Sequence, residues 1–124
     1  MTKALDLGCG LKPKNPFQAN EVFGVDIRSG ENVVVADLVI EPIPFEDESF
    51  DFVSALDFIE HVPRVIYNPK RRFPFICLMN EISRVLKKGG KFYSHTPCFP
   101  YAPAFRDPTH VNIITDETFP LYFD

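Results

Sequence analysis

The residues best suited to chemistry lie in two short runs near the N-terminus. In LDLGCGLKP, Gly8 and Gly10 bracket Cys9 directly after an apolar run. In GVDI, Asp26 ends a second apolar run and Ile27 follows it. Glycines at the end of a strand let the backbone approach a ligand closely. An aspartate at the end of the next strand can accept both hydroxyls of a ribose. Together they make the layout of a nucleoside site, at the carboxyl ends of strands in an open α/β sheet. A dinucleotide fits poorly. Its fingerprint needs a third glycine opening a helix that faces the pyrophosphate, and Pro13 stands at that place. The expected ligand is a nucleoside compound without phosphates.

Two histidines offer proton chemistry. His61 lies in IEHV, just past a strand-like run, and His110 in DPTHVN, a polar stretch of an otherwise apolar tail. An imidazole titrates near neutrality, so each is a candidate base for deprotonating an acceptor. His61 also has a plainer reading as a structural hydrogen-bond partner. Phe99, Tyr101 and Phe105 fit either an acceptor pocket or a small core. Cys9, Cys77 and Cys98 lack metal-ligand spacing, and no metal is expected. Their odd number points to reduced thiols and a cytoplasmic location.

Five apolar runs read as strands that position these residues: 3–7, 21–27, 32–38, 50–56 and 91–95. One helix is well marked. Pro74 suits its first turn, and Phe75, Leu78, Ile82 and Val85 recur on one face. Lys87 and Lys88 suit its C-terminal dipole, and Gly89 offers a left-handed cap. Pro13 and Pro16 argue against a helix between the first two strands. The link RSGE between the second and third is too short for an ordinary parallel crossover. Either the third strand is antiparallel, or an extended loop runs straight back. In the tail, TDETF offers Thr115 or Asp116 as the cap of a short helix.

The 124 residues suffice for one domain with a modest core, and the hydrophobic content of 45% is ordinary. Twelve prolines imply many breaks in regular structure. A net charge of −4 argues against general attraction to nucleic acid or an anionic membrane. The basic cluster Lys70, Arg71 and Arg72 reads as a solvated loop.

Taken in order, these motifs resemble the class I methyltransferases that use S-adenosylmethionine. LDLGCG is similar to that family's first motif, GVDI to its ribose-binding second strand, and VVADL to its third. IPFEDESFDFVSALDFIEHV is similar to its fourth-strand motif, and MNEISRVLKKGGKFYSHTP to the helix and fifth strand that follow. The resemblance implies a Rossmann-like, doubly wound α/β fold with a mostly parallel sheet of about five strands. It implies one domain over residues 1–124, with the core in 1–97 and an acceptor-side loop region in 98–124. The cofactor implied is S-adenosylmethionine, with Asp6, Gly8, Cys9 and Gly10 around its methionine part. Asp26, with Ile27 beside it, would take the ribose, Asp37 and Leu38 would border the adenine, and Ala55, Leu56 and Asp57 would close the site. Asp6 has a second reading as a structural carboxylate beneath the glycine turn.

The family's third glycine is replaced by Lys12, its first helix is nearly deleted, and the two strands after the fifth have no clear counterpart. The chain is expected to be a shortened or truncated member. The expected function is methyl transfer to a small-molecule acceptor. A SAM-binding module without catalysis, and a structural subunit completed by a partner, are the alternatives. The bare edge of the fifth strand is expected to be covered by the folded-back tail or by a second copy in a homodimer.

Overall fold

In the computed structural model, which describes residues 1–123, five strands form one parallel sheet. These are β1 (Lys3–Leu7), β2 (Glu21–Asp26), β3 (Val33–Val35), β4 (Phe50–Leu56) and, after a small hairpin and a helix, β7 (Leu86–His95). Their spatial order is β3-β2-β1-β4-β7. The hairpin joins β5 (Ile66–Tyr67) to β6 (Arg71–Arg72), so the basic cluster is an exposed antiparallel turn rather than a loop. The helix α1 spans Pro74–Val85, and a four-residue helix α2 (Pro120–Phe123) ends the described chain. Among the described residues no helix is long and apolar enough to cross a membrane.

In-register partners of a parallel sheet point to the same face. Leu5 therefore shares a face with Phe23 and Val53, and Leu7 with Val25 and Ala55. These residues join one core cluster with Phe75, Leu78, Met79, Ile82 and Val85 of α1. Burying each large aliphatic side chain there stabilises the fold by about 1.5–3 kcal/mol. The opposite face is covered by the segment 8–20 instead of a helix. Phe17 stacks on Phe52 with centroids 4.4 Å apart, and Pro13 and Cys9 lie over Gly24 so closely that a Cβ there would meet Cys9 Sγ at 2.4 Å.

The third strand is parallel to the second. Its pairing is confined to Gly24–Asp26 against Val33–Val35, so the connection has to return only a few residues along the sheet. An extended loop suffices, tied by the Gly24 N–H to the Asn32 carbonyl at 2.9 Å. The strand is shorter than the apolar run because pairing with β2 ends at the Ala36 N–H, which donates to the Asp26 carbonyl at 3.0 Å, and Asp37 then opens a turn.

The C-terminus of α1 differs from expectation. The chain passes from Val85 straight into β7 at Leu86, so Gly89, at φ +78°, does not cap the helix. It lies where β7 changes register against β4, between the pairs Phe50–Leu86 and Phe52–Lys91. Arg84 anchors this corner. Its guanidinium donates to Glu81, Asp47 and the carbonyls of Ile43 and Phe45, all within 2.9 Å.

In the tail, Thr115 Oγ1 accepts from the Glu117 N–H at 3.2 Å, opening a turn that precedes α2. Phe119 and Phe123 pack edge-on or tilted against Phe92 at 5.6 and 5.2 Å. The tail thus covers the α1 face of β7. No strand of the described residues pairs with the outer edge of β7.

Candidate active site

The glycine turn after β1 is held by β2. The N–H groups of Gly8 and Cys9 both donate to the Val25 carbonyl, at 2.8 and 3.3 Å. Gly8 has φ +64°, and a Cβ there would lie 2.3 Å from Phe58 Cδ1. Only glycine satisfies both conditions. The turn, the end of β2, the segment after β3 and the end of β4 enclose a cleft of about 340 Å³. That size suits a small-molecule or cofactor site.

Gly8, Asp26, Ile27, Asp37, Leu38, Asp57 and His61 all line this cleft. Val25, Ala36, Val39 and Phe58 complete it. Asp26 Oδ1 accepts from the Gly10 N–H at 3.3 Å, and Oδ2 from the Arg28 N–H at 3.1 Å. A carboxylate has further lone pairs, so both oxygens remain competent acceptors. Asp37 opens a tight turn, its Oδ1 accepting from the Val39 N–H at 3.1 Å. Asp57 sits at φ +55°, a left-handed conformation that costs a non-glycine residue about 1–2 kcal/mol. It is held there by its N–H to the His95 carbonyl at 2.6 Å and by its carboxylate to His95 Nδ1 at 2.9 Å.

Asp6, Cys9, Gly10, Ala55 and Leu56 are not among the lining residues. Asp6 is buried beneath the turn, where Oδ2 accepts from the Lys14 N–H at 2.8 Å and Oδ1 from Ser54 Oγ at 3.0 Å. Burial pushes its carboxyl above the ordinary range despite those bonds. It pins the segment 8–20 to the sheet. Cys9 is buried too. Burial first, then the charges of Asp6 and Asp26, push its thiol up to about 11, so it is a neutral packing group.

The two histidines come together. The N–H groups of Val111 and Asn112 donate to the Glu60 carbonyl at 2.8 and 3.1 Å, stitching the tail to the 3₁₀ turn Ile59–His61. This places the His110 ring edge-on to His61, with centroids 4.9 Å apart. His61 lines the cleft, and His110 stands behind it, outside the lining. Phe99, Tyr101 and Phe105 are exposed, with Phe99 edge-on to Phe105 at 5.9 Å.

Phe58 and Glu60 escaped the sequence reading. Phe58 is one apolar residue among many, and only its packing under Gly8 marks it. Glu60 sits beside His61 in a pattern that local sequence gives no reason to bury, yet it is 2% exposed.

Residues 5–94 match the family model described as a methyltransferase domain. The chain belongs to that family. Among curated proteins it is similar to the demethylmenaquinone methyltransferase of Staphylococcus aureus, at 29% identity over 85% of this chain and 47% of that protein. It thus spans about half the length of the curated relatives it matches. Among solved structures it resembles a SAM-dependent methyltransferase from Archaeoglobus fulgidus, with TM-score 0.73, 22% identity, and coverage of 98% of this chain and 58% of that one. The YcgJ protein of Bacillus subtilis gives TM-score 0.69 at 23% identity over 98% of this chain and 59% of its own. These two share the fold.

S-adenosylmethionine is the cofactor that family membership assigns, and the residues present fit it. The cleft is ringed by Asp26, Asp37 and Asp57, acceptors suited to hydroxyl and amino groups. No lysine or arginine is among its lining residues. A ligand with donors and a positive centre, and without phosphates, suits such a wall.

Proposed function

We propose that this chain catalyses methyl transfer from S-adenosylmethionine to a small-molecule acceptor. The observation that carries the reading is the juxtaposition, in one cleft, of Gly8, Asp26 and Asp37 with His61 at the far wall. Asp26 accepts from the ribose hydroxyls, with Ile27 packing beside it. Asp37 accepts from the adenine amino group, and Leu38 covers the base. Asp57, with Leu56 and Ala55 behind it, closes the wall at the end of β4. Asp6, Cys9 and Gly10 set the shape of the turn that the methionine part lies against.

When bound, the cofactor supplies a methyl group on a sulfonium whose departure as a neutral thioether needs little assistance. The work left to the chain is positioning and exclusion of water. Both histidines are prepared for proton traffic. His61 Nδ1 lies 3.1 Å from the Thr109 carbonyl and His110 Nδ1 lies 3.0 Å from the Pro103 carbonyl. A carbonyl only accepts, so each Nδ1 carries the hydrogen and each Nε2 of the neutral ring is a bare acceptor. His61 Nε2 takes the acceptor's proton where the acceptor must lose one, and His110 orients the His61 ring.

The name of the Staphylococcus aureus relative makes demethylmenaquinone the first acceptor to test. Three free cysteines are consistent with a reducing, cytoplasmic setting. The bare edge of β7 supports self-association as a homodimer. Calorimetry with S-adenosylhomocysteine tests the cofactor reading, and absence of binding at millimolar ligand overturns it. Conversion of S-adenosylmethionine to S-adenosylhomocysteine in the presence of candidate acceptors then separates an enzyme from a binding module.

A further inference from the structure

The Glu60 side chain is 2% exposed, and its Oε1 has no hydrogen-bond partner. Leaving a buried carboxylate oxygen without a partner is costly, and native proteins seldom do so without a ligand. One donor atom of Glu60, one of His61 and one of His110 all lie within 4.8 Å of one another.

The tautomers fit a ligating role. Each Nδ1–H is turned to a backbone carbonyl, Thr109 for His61 and Pro103 for His110. This is the outer-shell arrangement that fixes metal-binding histidines and leaves Nε2 as the lone-pair donor. The nearest carboxylate to His110 Nε2 is Asp107 Oδ2, at 3.7 Å, beyond hydrogen-bond length. Asp107 Oδ1 is already occupied by the N–H and hydroxyl of Thr109, at 2.8 and 2.7 Å.

From this geometry we infer that Glu60, His61 and His110 form a binding site for a divalent transition-metal ion. Two imidazoles and a carboxylate suit zinc, iron, cobalt or nickel rather than calcium or magnesium. Metal–ligand bonds of ~2.0–2.2 Å bring donors to about 3–3.5 Å apart, so closing the site takes side-chain rotations of about an ångström. The scaffold is already in place, because the Glu60 carbonyl binds the tail at Val111 and Asn112. Arg64 locks that link from outside, donating to Asn112 Oδ1 and the Ile113 carbonyl, both at 2.6 Å.

The ion would stand behind the cleft wall at His61, since Glu60 and His110 lie outside the lining. A bound ion occupies His61 Nε2, so proton removal by His61 belongs to the metal-free chain. The site itself is inferred from these three side chains and does not rest on methyl transfer.

The test uses the full chain, stripped with chelator and titrated with Co²⁺ alone. The expected result is one equivalent bound, with visible d–d bands of nitrogen and oxygen ligation. His110→Ala and His61→Ala should each weaken Co²⁺ binding at least ten-fold. Glu60→Gln should do the same, with circular dichroism to verify folding of this buried variant. Equal affinity in His110→Ala would overturn the proposal. So would absence of saturable binding by the parent chain. Strong thiolate charge-transfer bands would also overturn it, by moving the ion to Cys77 or Cys98.

Discussion

Asp6 and Ser54 meet inside the sheet, on β1 and β4 at in-register positions, where the Ser54 hydroxyl donates to Asp6 Oδ1 at 3.0 Å. The other Asp6 oxygen holds the Lys14 N–H, so one buried carboxylate ties two strands and the covering segment 8–20. Asp6→Ala leaves both donors unpaired and should cost about 1–3 kcal/mol in urea unfolding. Asp6→Asn keeps an acceptor for Lys14 and should cost less.

The same carboxyl predicts an unusual pH slope. Burial raises its pKa above the ordinary value of 3.8, so the folded chain holds this proton more tightly than the unfolded chain does. Its contribution to stability is present at acid pH and is lost as pH rises from near 3.8 through the raised value. Glu81 acts in the opposite sense. The Arg84 hydrogen bond holds it below its ordinary 4.5, so its contribution is present above that value and is lost as pH falls through the lowered one. Unfolding curves across the acid range should show Asp6→Asn removing the first slope and Glu81→Gln removing the second. Unchanged slopes in both variants would contradict these assignments.

Asp26→Ala should weaken S-adenosylhomocysteine binding by about 2–4 kcal/mol, the loss expected for charge-assisted hydrogen bonds. Asp26 also holds the Gly10 N–H, so a change in melting temperature should be measured alongside. Equal affinity in calorimetry would remove Asp26 from the ribose site.

Gly8→Ala forces a Cβ into Phe58 at a positive φ. The backbone term alone is about 1–2 kcal/mol. The variant should melt earlier and lose cofactor affinity together. The double variant Gly8→Ala with Phe58→Ala should recover part of the stability by removing the clash. No recovery would mean that the backbone conformation carries the whole penalty.

The outward-facing amides of β7 have no ladder partner among the described residues, whereas β1 is paired on both sides. At low protein concentration the outer β7 amides should exchange much faster than those of β1. If edges of two copies pair, raising the concentration into the micromolar range should slow that exchange and raise the mass seen by light scattering. Slow exchange in a strict monomer would show that the tail protects the edge by itself.

Much of this was legible in the sequence because it depends on local rules. Strands β1 and β4 appear at the bounds their apolar runs predict, and α1 begins at Pro74 because proline suits a first helical turn. Gly8 and Asp26 were recognisable as candidates, and both line the cleft, because a tight turn after a strand and a strand-end carboxylate need those types. The direction of β3 was not, since it depends on how few residues pair with β2. Gly89 was misjudged as a helix cap because a left-handed glycine looks the same in a cap and in a register change. Asp6 carried two readings, beside the ligand or as a structural carboxylate beneath the turn, and its partners there, Ser54 and Lys14, are residues that only the folded sheet brings near. The meeting of Glu60, His61 and His110 was invisible for the same reason. Their separation along the chain carries no period, and it is the backbone bond of the tail to the Glu60 carbonyl that brings His110 to the turn bearing the other two.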